Sequence, residues 1–141
     1  MRLTISSTPT TANSPTGPVK IKAYQFAVPI RLVVGAARSQ VFPALFDPGT
    51  NHNLAIREQH IRDWTGMALR KLGAIRINGV VVPVVVADIE LDGRILSNPD
   101  GIVLYPDSVP FAPRLPVLGL RTLVRNNVEV VIRGKDVIIT P

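Results

Sequence analysis

Apolar positions along the chain come in short runs broken by turn residues, and few of them follow a helical repeat. Ile30–Val34 and Val41–Phe46 read as strands joined by a hairpin loop over Gly35–Gln40. Ala74–Ile77 and Val80–Ala87 flank Asn78-Gly79, a dipeptide suited to a two-residue hairpin turn because both positions tolerate positive φ. Ile89–Leu91 and Ile95–Leu96 flank Asp92-Gly93 in the same way. Ile102–Tyr105 is a further short strand, and Val128–Ile132 and Val137–Thr140 enclose a third hairpin at Arg133–Asp136. Helix is scarce. Ile56, His60, Ile61 and Trp64 share one helical face, and Leu118–Val124 predicts a second short helix ended by Asn126-Asn127. Residues 1–18 hold eight Ser/Thr and three Pro with a single charge, and read as a flexible or extended arm ahead of a folded domain over 19–141. Short strands recurring between turns predict an all-β barrel or sandwich with one or two short helices.

Composition narrows the picture. A chain of 141 residues, 46% hydrophobic and 18% charged, is one globular domain with a real core. Thirteen Pro and ten Gly disfavour a helical bundle. The absence of Cys excludes disulfides, thiol catalysis and thiolate metal sites, and two His make a histidine metal centre an unattractive reading, so no metal and no cofactor is expected. The longest apolar run, Val80–Ala87, is far short of the ~20 residues a membrane helix needs, and the N-terminus lacks the apolar stretch of a signal peptide. A cytoplasmic protein without membrane contact is the default expectation. Net charge is +6, from twelve Arg and four Lys against ten acids, but the basic residues are scattered and aromatics are only 5%. A phosphate track with stacking platforms is therefore poorly supplied, and nucleic acid is not the expected partner.

One segment carries chemistry. Val41-Phe42-Pro43-Ala44-Leu45-Phe46-Asp47-Pro48-Gly49-Thr50 puts an acid directly after an apolar strand and before a glycine turn. By itself Asp47 also fits a simple turn cap. Later in the chain comes Leu115-Pro116-Val117-Leu118-Gly119. Apolar-apolar-Asp-x-Gly-Thr followed at this distance by an apolar pair and Gly resembles the retroviral-type, retropepsin-like aspartic proteases, and the bacterial single-domain members most of all. The similarity runs from about Ala27 to Thr140.

The resemblance implies a closed acid-protease barrel and an aspartic endopeptidase. Asp47 would be the catalytic acid on a turn formed by Pro48, Gly49 and Thr50, with Val117, Leu118 and Gly119 packing behind that turn. Aspartic proteolysis needs two carboxylates that share one proton. The chain has one Asp-x-Gly, so the resemblance implies a homodimer with one Asp47 from each subunit and an extended peptide or protein substrate lying across the interface. It also implies a flap hairpin, for which Asn78-Gly79 is the first candidate and Asp92-Gly93, with the mobile-looking 97–101 loop, the second. The chain ends, Val128–Thr140 or the N-terminal arm, would add strands to the dimer. One position departs from the family: Pro48 stands where Thr or Ser is usual, and it offers neither hydroxyl nor N–H. Thr50 matches the hydroxyl residue that bonds the catalytic carboxylate in many relatives. A catalytically silent peptide-binding or dimerising module is the alternative reading. His52 reads as a loop histidine, Trp64 as core or groove wall, and Arg57, Arg62 and Arg70 as a solvated face.

Overall fold

The computed structural model describes residues 1–141, and the chain is mostly β with two short helical segments. The strands are β1 (Arg2–Thr4), β2 (Thr10–Ser14), β3 (Gly17–Ile21), β4 (Ala27–Val34), β5 (Ala37–Arg38), β6 (Phe42–Asp47), β7 (Leu54–Arg57), β8 (Lys71–Ile77), β9 (Val80–Val85), β10 (Asp88–Leu91), β11 (Arg94–Leu96), β12 (Ile102–Tyr105), β13 (Val117–Gly119), β14 (Glu129–Arg133) and β15 (Asp136–Thr140). Helix α1 (Glu58–His60) runs directly into a π-helical turn (Ile61–Thr65), and α2 (Leu120–Arg125) follows β13. Asn78-Gly79 and Asp92-Gly93 turn their hairpins with positive φ at all four residues, the backbone that makes this dipeptide chemistry informative.

Ten strands form one sheet in the order β11-β10-β4-β6-β13-β7-β12-β9-β8, with β5 paired to β4. The path is open, with β11 and β8 at its ends, so the closed barrel expected from the resemblance is not found. Local patterns specify strands; closure depends on whether two distant edges meet. The central strands carry the core. In β4, Val28, Ile30 and Leu32 alternate inward, and in β6 Phe42 and Ala44 are fully buried. Pro29 and Pro43 lie directly opposite each other in the β4–β6 pair, so the two missing N–H groups fall at a single position of the ladder. Trp64 sits in the main core cluster, and its indole N–H donates to Thr16 Oγ1 at 2.8 Å. No helix is long and apolar enough to cross a membrane.

Residues 1–18, expected as an arm, are largely paired. Strand β1 adds to β15, which pairs with β14, so a three-stranded sheet joins both chain ends within one subunit. Strands β2 and β3 form a separate hairpin. Thr, being β-branched, suits a strand, and backbone pairing rather than an apolar face holds these segments.

Candidate functional site

The site begins with a strand order. Strands β6 and β7 are consecutive in the chain, yet they do not pair with each other, because β13 lies between them. It runs parallel to β6 (Val117 opposite Leu45, Leu118 opposite Phe46, Gly119 opposite Asp47) and antiparallel to β7 (Val117 opposite Ala55, Leu118 opposite Leu54). The two sequence segments that carry the protease resemblance thus become neighbouring strands, with Gly119 level with Asp47. The 48–53 loop arches over the end of β13. The Gly119 N–H donates to the Asn53 carbonyl at 3.1 Å. A Cβ on Gly119 would stand 1.8 Å from the His52 carbonyl oxygen and 3.0 Å from that of Thr50. Glycine is required here for space, since its φ of −90° is open to any residue.

Asp47 ends β6 with an exposed side chain. Its Oδ1 accepts the Gly49 N–H at 2.9 Å, and its carbonyl accepts the Thr50 N–H at 3.1 Å. The bond to the carboxylate therefore comes from the Gly49 backbone, while the resemblance implied one from the Thr50 hydroxyl. Pro48, without an N–H, leaves Gly49 as the first donor of the turn. Asp47 opens onto a groove of about 400 Å³ shared with Gly49, Thr50, His52, Tyr105 and Phe111, and it is the one carboxylate lining that groove. Tyr105 and Phe111 meet edge to face with centroids 6.1 Å apart and give the groove an aromatic wall. Pro48 does not line that groove; it lines a separate open depression with Leu120 and Val124 of α2.

A second cavity of about 370 Å³ adjoins the groove, sharing Asn51 and His52 with it. Its polar wall is a network whose members are far apart in the chain. Buried Asn53 donates through Nδ2 to Asp100 Oδ1 (2.8 Å) and to the Gly101 carbonyl (2.9 Å). Arg121 Nε faces Asp100 Oδ2 at 2.8 Å, and Arg125 pairs with Asp100 Oδ1. Burial pushes the Asp100 carboxyl up, but the Asn53 amide, Arg125 and Arg121 outweigh it and hold the group below the ordinary aspartate range. Burial and then the Arg121 charge lower the His52 imidazole, which favours its neutral form. The 97–101 loop, which reads as mobile in the sequence, is tied down by this network and by the Asn98 N–H bond to Asp88 Oδ1.

Of the two flap candidates, the Asn78-Gly79 hairpin is the one whose strands reach this region, since Ile75 of β8 and Val84 of β9 line the second cavity. Strand β10 pairs with β4 so that Leu91 lies opposite Ile30, and Ile30 lies opposite Phe42 at the start of β6. The Asp92-Gly93 turn therefore sits at the end of β6 remote from Asp47.

The Phe111 wall is anchored on α1. Asp107 Oδ1 accepts the Gln59 N–H at 2.9 Å, and Arg62 Nη2 donates to Asp107 Oδ2 at 2.7 Å. Arg62 is exposed as expected, whereas Arg57 turns inward with its Nε buried and unpaired. His60 is buried and stacks on Trp64 with ring centroids 3.9 Å apart. Burial, reinforced by the nearby Arg57 charge and only partly offset by Asp63 and Asp107, lowers the His60 imidazole to about 4. The unfolded chain takes up this proton near the ordinary value of about 6.5, so its contribution to stability is complete above that pH and is lost as pH falls toward 4. The melting temperature should fall between pH 7 and 4, with a shallower fall in His60→Phe, which keeps the stacking ring. Parallel curves for the two proteins would remove His60 as the cause.

No protein-family model matches the chain, and no curated protein or solved structure matches it.

Proposed function

We propose that the protein is an aspartic endopeptidase that works as a homodimer, with Asp47 of each subunit facing the other across a two-fold axis. The observation that supports this most is the placement of Asp47 beside Gly119, on an exposed turn at the head of an open groove with an aromatic wall. One carboxylate per groove is half of the required pair, and an exposed turn is accessible to a second copy. In the dimer one carboxylate removes a proton from a water molecule, which adds to the peptide carbonyl carbon. The other, protonated, gives its proton to the carbonyl oxygen as the tetrahedral species forms. Collapse of that species breaks the C–N bond, and the nitrogen leaves with a proton returned from the dyad. Since one member must be protonated, cleavage should be strongest at acidic to near-neutral pH.

The test is a peptide library incubated between pH 4 and 7 and read by mass spectrometry, with wild type, Asp47→Ala and Pro48→Thr side by side. Cleavage by wild type that disappears in Asp47→Ala is the expected result. Pro48→Thr should raise the rate several-fold, because a hydroxyl able to bridge the two turns contributes about 0.5–1.5 kcal/mol. Activity in Pro48→Thr alone would favour the second reading, a silent peptide-binding module whose turn has lost its hydroxyl. Silence from all three proteins would overturn the endopeptidase.

A further inference from the structure

The cavity beside the Asp47 groove has a charge balance that points to a substrate chemistry. Asp100 is its one carboxylate, and its oxygens are already engaged by the Asn53 amide, Arg125 and Arg121. A guanidinium carries five donors. Arg121 lines the cavity, its side chain is 47% exposed, and Asp100 is the one anion that pairs with it, shared with a second arginine. Two cations therefore divide one carboxylate: the acceptor is close to saturation and the donor is not. The apolar part of the lining is formed by Ile75, Val84 and Val103. A ligand group suited to this cavity has a short aliphatic stem ending in an anionic acceptor. An ammonium would be repelled by the Arg121 charge, and a neutral amide would gain less from the guanidinium.

Resting on the endopeptidase reading, we infer that the cavity is a specificity pocket for a glutamate side chain of the peptide, with Arg121 as the residue that selects it. Because the cavity shares Asn51 and His52 with the groove, the glutamate lies within a few residues of the bond held at Asp47. Arg121 takes no part in the chemistry; it positions and selects.

The experiment uses an apolar octapeptide scanned with a single Glu, Gln or Lys at each position. Cleavage is measured with wild type, and binding of the fluorescein-labelled peptides is measured by polarisation with Asp47→Asn, so that affinity is read without turnover. At one position the Glu peptide should bind roughly tenfold more tightly than its Gln counterpart, with Lys weakest, and the difference should shrink as salt is raised. Arg121→Gln in the Asp47→Asn background should bring Glu and Gln within about twofold, while Arg121→Lys, which keeps the charge, should retain part of the preference. Each preference is a ratio within one protein, and its melting curve identifies a variant that has lost its fold. Equal binding of the three peptides at every position, or a Glu preference that survives Arg121→Gln, would overturn the pocket even if wild type cleaves. A Glu preference without cleavage would support the pocket and overturn the proteolytic step alone.

Discussion

A preparation in which half of the subunits carry Asp47→Asn should keep about a quarter of the wild-type cleavage activity, the fraction of randomly formed dimers with two intact carboxylates. Pure Asp47→Asn should lose at least about 10²–10⁴-fold, the usual contribution of a positioned acid or base. The fold should be unaffected, since Asp47 is exposed and its Oδ1 accepts a single backbone bond, from Gly49, that an amide oxygen can also accept. The mixing curve separates mechanisms more sharply than the knockout does. A monomeric enzyme would lose activity in proportion to the variant added, giving a straight line where a dimer sharing one site gives a square law. Equilibrating the mixture before assay, and repeating at several total concentrations, checks that subunits exchange. A straight line at full exchange would remove the shared dyad.

Gly119→Ala should be the most damaging single methyl in the chain. Its Cβ would lie 1.8 Å from the backbone oxygen of His52, and no side-chain rotation can relieve a clash with a carbonyl. Strand β13 cannot retreat, because it is paired on both sides and Leu118 is fully buried. The 48–53 loop would have to lift, which disturbs the Gly119–Asn53 bond and moves Asn53 away from Asp100. A loss of about 3 kcal/mol or more is expected, a melting temperature lower by roughly 10 °C for a domain of this size. Any folded fraction should cleave poorly, because the turn that carries Asp47 is the part that moves. Gly73→Ala is the control: a Cβ there meets nothing within 4 Å, and the melting temperature should shift by no more than about 2 °C. Equal melting temperatures for the two variants would show that the loop yields freely.

Much of this fold is legible residue by residue, and the illegible parts share a cause. Hairpins turned by Asn78-Gly79 and Asp92-Gly93, the strand leading into Asp47 and the helical turn bearing His60 and Trp64 all rest on local chemistry, and the structure has them. Strands β1 and β2 escaped the pattern because they bury little apolar surface of their own, and the partner of β1 lies at the other end of the chain. The inward turn of Arg57 and the Asn53–Asp100–Arg121–Arg125 network were invisible for a related reason. Their residues are separated by long stretches of chain, and nothing around Asp100 or Arg121 distinguishes them locally from any loop acid or helix-surface base. Asp47 and Gly119 are as distant, but each sits in a recognisable motif, and that recognition is what links them.

Insertion of β13 between β6 and β7 also governs how the molecule is made. Neither flanking strand has its neighbour until a segment made much later in the chain arrives, so both edges stand open during synthesis and refolding. Pairings of such long sequence separation carry a large loop-closure cost, which places folding in the slow range for a domain of this size, milliseconds to seconds. The turn that presents Asp47 acquires its backing only when β13 seats, and until then the chain has the residues of its site without the arrangement. As the proposed endopeptidase, a newly synthesised molecule should therefore be inactive until β13 has seated between β6 and β7.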